Sequence, residues 1–186
     1  AWILSRMSLE LERRPGWQEE IECRTWPSGS ERLLVWRNYE MADSKGVFGH
    51  GRSAWLILDT EKLRPLRPEK WIEKLPHSDK ACALEGACQS IDAQEGLAQV
   101  STRRAAYSDI DYNAHVNNAR YIQWIQDLFS LEELATWPRM RCDINYLGQT
   151  LEGEEVDLFK GPVGKVWHIE GLQHKTGKPS FRAVFS

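Results

Sequence analysis

The sequence predicts an α+β fold made of two similar antiparallel sheets, at least the second of which wraps a buried helix. Three observations predict it. First, the chain repeats itself: "LELERRPGWQEEI" (9–21) parallels "INYLGQTLEGEEV" (144–156) without a gap, and "GRSAWLI" (51–57) resembles the closing "FRAVFS". Second, many stretches alternate apolar and polar residues, as at Met140, Cys142, Ile144 and Tyr146, the period-two mark of a half-buried strand. Third, the segment 116–129 switches to helical spacing and is apolar over most of its circumference.

The elements follow in order. "AWILSR" opens on a strand-like stretch, with no initiator Met and no signal-peptide pattern. "MADSKG" (41–46) carries turn chemistry, and "GVFGHG" (46–51), which is not GxGxxG, reads as a bulge or turn in a strand region. Residues 1–60 are therefore expected to form a partial first unit. Residues 61–96, with Pro65, Pro68, Pro76 and mixed charge, read as a linker with a short helix in "PEKWIEKL". Residues 97–186 form a complete second unit: an extended "LAQVSTRRAAYS", a polar motif, one helix, and further strands joined at "GPVGK" (161–165) and "HKTGKP" (174–179). "GPVGK" lacks the spacing and the final Ser or Thr of a phosphate loop, so a strand turn is the better reading.

In the helix, Val116, Ala119, Ile122, Ile125 and Phe129 form one stripe and Tyr121, Trp124 and Leu128 a second. Arg120, Gln123, Asp127 and Ser130 leave only a narrow polar face, so burial on several sides is expected. One such helix wrapped by a curved antiparallel sheet is the hot-dog architecture, here expected as tandem hot-dog folds. The first unit has no counterpart of the strand and helix that open the second. Since each repeat needs its own buried helix, about 40–50 further residues are expected upstream of Ala1.

A net charge of -3 gives no general reason to expect nucleic acid, and no apolar run approaches the length of a membrane helix. Cys23, Cys82, Cys88 and Cys142 are scattered and read as reduced, buried thiols of a cytosolic protein. His50, His77, His168 and His174 show no ligand spacing, so neither metal nor other cofactor is expected.

The polar motif "YSDIDYNAHVNN" (107–118) admits three readings: a helix cap, a metal site, or a catalytic site. Asn and Asp are good caps, but the cluster holds more polar groups than one cap uses, and His115 has no capping role. The following helix start offers unpaired N–H groups and a partial positive charge, which can meet a carbonyl oxygen as it becomes an oxyanion. Asp111, Asn113 and His115 alternate along the segment and can line one side of it. A carboxylate, an amide and an imidazole there can hold and deprotonate a water for attack on an acyl group. Asp109 shares the parity but sits earlier, as a turn residue or a support.

"YSDIDYNAHVNNARYIQWI" resembles the signature of the acyl-acyl-carrier-protein thioesterases, the tandem hot-dog enzymes of bacteria and plastids. The likeness extends to "WILSRMSLELERRPGWQEEIECRTWPSGSERLLVWRNYEM" and "SAWLILDTEKLRPLRP", so it spans nearly the whole chain. It implies hydrolysis of the thioester between a fatty acid and the phosphopantetheine arm of acyl carrier protein. Asp111, Asn113 and His115 are then the catalytic positions. Asn113 positions the thioester carbonyl or the water, Asp111 and His115 orient and deprotonate the water, and the backbone N–H groups of Val116 and Asn117 stabilise the oxyanion. The family usually places a Glu, and in plant members a following Cys, where this chain has Gln149 and Thr150. Gln149 can hydrogen-bond but cannot take a proton, which leaves proton transfer to Asp111 and His115. In the first copy Arg14 stands opposite Gln149, so that half is expected to lack the chemistry.

The family builds its acyl tunnel in the first domain, which makes Trp2, Ile3 and Trp55 candidate pocket residues. Among the basic clusters, Arg103, Arg104 and Arg141 are candidates for docking an acidic carrier protein, against a bland reading as solvated surface. A homodimer is an admissible assembly, and the implied compartment is the bacterial cytoplasm or a plastid. The enzyme rival is a thioesterase acting on coenzyme A esters. The rival of another class is a non-catalytic acyl-binding hot-dog protein, which Gln149 keeps open.

Overall fold

In the computed structural model, which describes residues 1–62, 64–73, 75–76, 78, 80–81 and 84–186, the chain divides into two units. One comprises Ala1–Gln89 with Pro138–Asp143, the other Ser90–Trp137 with Ile144–Ser186. His77 and Cys82 fall outside the described residues.

The first unit holds β1 (Trp2–Leu11), β2 (Glu22–Glu31), β3 (Leu34–Asp43), β4 (Gly46–Asp59), β5 (Arg64–Leu66) and the short helix α1 (Glu69–Ile72). The second holds β6 (Ala98–Arg104), α2 (Asn118–Gln126), α3 (Leu131–Ala135), the end of β7 (Met140–Tyr146), β8 (Glu155–Val163), β9 (Val166–Gln173) and β10 (Pro179–Phe185). Strand order in the first unit is β2-β3-β4-β1, and in the second β8-β9-β10-β7 with β6 added beside β8. The sequence repeat is thus a repeat of topology. In both copies a strand ends, a loop follows, and three strands joined by turns return to lie beside that first strand. The pairs β2–β3, β3–β4 and β4–β1, and β6–β8, β8–β9 and β9–β10, are antiparallel, so each unit reads as a meander.

Local chemistry explains the joints. Val163 pairs with Val166 across the turn at Gly164 and Lys165, and Gly164 adopts a φ of 63°, which the "GPVGK" stretch supplies without a Cβ penalty. "GVFGHG" lies inside β4 and is a bulge: Met41 pairs with Gly49 and Ala42 with Val47, leaving Phe48 as the extra residue. The stretch 61–96 carries β5, which pairs with β4, and α1 inside "PEKWIEKL". Its later part packs down: Leu84, Ala87 and Cys88 bury against Ala54, with Leu34 and Trp36 alongside. Trp26 Nε1 donates to the Lys80 carbonyl (2.9 Å), and the Lys80 ammonium sits 4.4 Å from the Trp26 ring centroid.

Arg141 ties the start of β7 into the first unit. Its guanidinium donates to Asp143 (2.8 Å), to Glu10 (3.4 Å) and to the carbonyls of Glu85 and Gly86. Ser8, fully buried on β1, bonds the Asp143 carboxylate and also accepts the Cys88 N–H (2.7 Å). Cys88 and Cys142 are buried thiols, and burial pushes their pKa values up to about 11 and about 12. Cys23 departs from the expectation of burial: it lies exposed on β2, which ends the strand order of its unit. Among the described residues no helix is long and apolar enough to cross a membrane.

The core of the second unit is the face of its sheet carrying Val156, Leu158, Ile169, Phe181, Ala183 and Phe185, with Ile144. On it lies α2, through Tyr121, Trp124 and Ile125. Rings continue the contact: Tyr121 meets Trp124 edge-on at 5.3 Å and Phe181 at 5.2 Å, while Phe129 meets Phe185 at 5.2 Å and Trp137 at 5.1 Å. Burial is narrower than the composition of the helix predicts. Ile122 is half-buried and Ala119 exposed, so one face is covered rather than several. Lys160 closes the far end by donating to the Leu128 carbonyl (2.6 Å), a cation placed at the negative end of the helix.

Candidate active site

The polar motif folds as a tight hairpin in front of α2. Ile110 and Val116 bridge antiparallel, with the Asp111 N–H donating to the His115 carbonyl (2.9 Å) and the Asn117 N–H to the Asp109 carbonyl (2.8 Å). Between them a β-turn closes when the Ala114 N–H donates to the Asp111 carbonyl (3.0 Å). Asp111 nucleates that turn, because its carboxylate accepts the Asn113 backbone N–H (2.8 Å). The Asn113 side-chain amide reaches the other carboxylate oxygen at 3.5 Å. Aspartate and asparagine are therefore brought together. His115 is half-buried and makes no side-chain hydrogen bond to either among the described residues. Contacts of this kind are commonly long until substrate is bound.

Ala114 stands at a φ of 62°, the left-handed region that a hairpin of this type normally gives to glycine. It is exposed, so no packing is lost on shortening it. Ala114→Gly is expected to stabilise the protein by up to about 1 kcal/mol, the Cβ strain relieved exceeding the added freedom of the unfolded chain. A urea midpoint below that of the unmodified protein would contradict this.

Asp109 is structural, as its earlier position suggested. Its carboxylate caps the single 3-10 turn Tyr107–Asp109 by accepting the Ala106 N–H (2.9 Å) and lies 3.8 Å from Arg120. Asn117 caps α2, its side chain accepting the Ala119 N–H (2.9 Å). The capping roles in the motif therefore fall to Asn117 and Asp109, and Asp111, Asn113 and His115 remain the candidates for chemistry.

The expected oxyanion donors need correction. The Val116 N–H is already given to the Thr150 carbonyl (2.9 Å) and the Asn117 N–H to Asp109, because the hairpin and the passing strand need both. In the first turn of α2, Ala119 donates to the Asn117 side chain and Arg120 to the Asn117 carbonyl (2.8 Å). Among the described residues, that leaves the Asn118 N–H without a protein acceptor at the helix start. Sequence reasoning missed it because the competing acceptor, Thr150, is distant in the chain.

The Val116 to Thr150 bond also carries Gln149 to the motif. Gln149 is exposed, and its carbonyl accepts from the Gln173 side chain (3.0 Å). Thr150 is fully buried, its hydroxyl 3.2 Å from that of Ser180. Tyr112, at the hairpin tip, and Tyr107 are almost fully exposed, and Leu147 and Leu151 flank Gln149 as further exposed apolar residues.

The remaining candidates separate. Trp2 and Trp55 line one apolar depression of about 380 Å³ in the first unit, with Pro27, Val35, Trp36, Tyr39 and Leu75; Ile3 is not part of its lining. Arg141 is consumed by the contacts within its own unit, and its donors are turned inward. Arg103 pairs with Asp127 (2.9 Å), whereas Arg104 is exposed. Arg14 is exposed, with one nitrogen 3.2 Å from the Met140 sulfur.

Two family models match the chain: acyl-ACP thioesterase N-terminal domain over residues 1–75 and acyl-ACP thioesterase C-terminal domain over residues 93–178. The chain is 28% identical over 176 residues to a chloroplastic oleoyl-acyl carrier protein thioesterase of Coriandrum sativum, covering 87% of this chain and 47% of that protein. It is 26% identical over 185 residues to oleoyl-acyl carrier protein thioesterase 1 of Arabidopsis thaliana, covering 91% of this chain and 50% of that protein. It thus spans about half the length of these curated relatives. Among solved structures, an acyl-ACP thioesterase from Bacteroides thetaiotaomicron superposes with a TM-score of 0.83 at 28% identity, over 100% of this chain and 76% of that one.

Proposed function

The chain belongs to the acyl-acyl-carrier-protein thioesterase family, and on that premise we propose that it hydrolyses fatty acyl-acyl carrier protein, releasing the free fatty acid. The observation that carries the reading is the Asp111–His115 hairpin set at the start of α2, with the Gln149–Thr150 segment bonded to it through Val116.

The chemistry runs as follows. Asn113 holds the thioester carbonyl or the attacking water. Asp111 and His115 take a proton from water as its oxygen bonds the acyl carbon. The Asn118 N–H faces the oxyanion in place of Val116 and Asn117, a kind of contact worth roughly 3–4 kcal/mol where it is well formed. The C–S bond then breaks, and the proton passes to the departing thiolate of the phosphopantetheine arm. Gln149 contributes hydrogen bonds only. The apolar depression at Trp2 and Trp55 is our candidate for the acyl chain, and Arg103 and Arg104 for the acidic carrier protein. This reading places the protein wherever acyl carrier protein is, the bacterial cytoplasm or a plastid.

Gln149 favours a second reading, an acyl-binding protein without turnover. Matched acyl-carrier and acyl-coenzyme A substrates separate the possibilities in one assay series. Faster turnover of the carrier ester is the expected result. Faster turnover of the coenzyme A ester would transfer the protein to the other substrate class, and binding without turnover of either would make it an acyl-binding protein.

A further inference from the structure

Arg37 is a charge in an apolar wall. Along β3 it falls on the same face as Val35 and Tyr39, and across the ladder it stands between Pro27 of β2 and Ser53 of β4. Pro27, Val35, Arg37 and Tyr39, with Trp2 and Trp55, line the depression of about 380 Å³ in the first unit. The neighbouring polar groups of that wall are satisfied within the protein. The fully buried Ser53 hydroxyl accepts the Trp55 indole N–H (2.7 Å) and lies 3.0 Å from the Tyr39 hydroxyl. Arg37 differs. It is half-buried, and its Nε donates to the Thr25 hydroxyl (2.7 Å), which donates in turn to the Asn38 carbonyl (2.9 Å), so the guanidinium is held in place. Among the described residues no carboxylate pairs with it, and its two terminal nitrogens make no hydrogen bond to the protein.

A charge half-buried among apolar side chains without a counter-charge is costly, and an aliphatic residue would line the same wall without that cost. The acyl chain of a thioester carries no charge, so it gives the guanidinium nothing to pair with. The acid released by hydrolysis does. Its carboxylate matches the parallel N–H donors of an arginine fork, and its chain matches the indole rings beside it. We propose that the depression is a binding site for free fatty acid, with the carboxylate held by Arg37 and the chain laid along Trp2 and Trp55. One fixed ionic group in an otherwise apolar lining is what such an amphiphile needs, the group setting its orientation and the lining its grip. Where the acid comes from rests on the thioesterase reading; that it binds does not.

Calorimetric titration of the whole chain with decanoate, and with decanol as the uncharged probe of equal length, tests it. The quantity read is the ratio of the two affinities within each protein, which a general loosening of the depression leaves unchanged. Decanoate is expected to bind the unmodified protein about tenfold or more tightly than decanol, the margin of a charge-assisted pair. Arg37→Gln removes the charge and is expected to bring the ratio close to one, while Arg37→Lys keeps the charge and retains part of the preference. Trp2→Ala is expected to weaken both probes alike. Equal affinities in the unmodified protein, or a preference for the acid that persists in Arg37→Gln, would overturn the proposal. Unchanged binding of both probes in Trp2→Ala would place them elsewhere and overturn it as well. Separate turnover assays keep the two readings apart. A protein that hydrolyses no ester yet prefers decanoate through Arg37 loses the thioesterase reading and keeps this site. One that hydrolyses its ester with a ratio indifferent to Arg37 keeps the reading and loses the site.

Discussion

Asp111→Asn is expected to lower thioester turnover at least about a hundredfold while leaving the fold intact. The substitution is chosen by geometry. In the structure the Asp111 carboxylate accepts the Asn113 N–H at 2.8 Å, and in the proposed mechanism it also serves in the proton transfer. Asparagine keeps an oxygen for the first role and loses the second, so the hairpin persists and only the chemistry suffers. Asp111→Ala removes both, and is expected to lose a further increment of stability of about 1 kcal/mol, the usual worth of such a local hydrogen bond. Asn113→Ala belongs with Asp111→Asn, since its backbone N–H remains while the positioning amide is gone. Steady-state rates on the acyl-carrier ester and urea midpoints separate the effects. Near-normal turnover in Asp111→Asn would remove Asp111 from the proton chemistry. With a glutamine at position 149, the proton transfer would then rest on His115 alone.

The parts of this site that were legible in the sequence are those whose chemistry is local. Asp111 and Asn113 sit two apart, which is the reach of an aspartate to a backbone N–H in a turn. Asn117 precedes an apolar periodic run, which is where a cap belongs. The repeated strand order was legible because each copy repeats the same succession of strand, loop and meander. Long-range pairings left no such mark. Nothing near Val116 announces that Thr150 will take its N–H, and so the wrong donors were expected at the oxyanion. Arg141 looks like any surface arginine until Glu10 and the carbonyls of Glu85 and Gly86 close on it. Ala114 hides a left-handed turn because no glycine marks it. Tyr121 reads as one more aromatic in a helical stripe, and only the completed core shows its hydroxyl without a partner.

Phe181→Ala is expected to destabilise the protein by about 3–5 kcal/mol, the largest stability effect of any single substitution considered. Phe181 is fully buried on β10, paired across the ladder with Gly171 of β9, and its ring also meets Tyr121 at 5.2 Å. The glycine is what makes room for it, since a Cβ at position 171 would overlap the Phe181 ring itself. Gly171→Ala alone is therefore also destabilising, by roughly 1–3 kcal/mol, because the ring must leave its rotamer in a packed core. The two losses should not add. In the double variant the alanine methyl at 171 occupies part of the space vacated at 181, so its cost should fall short of the sum by about 1 kcal/mol or more. Urea midpoints of the four proteins close that cycle. Strict additivity would mean that Gly171 serves the backbone of β9 and not the ring.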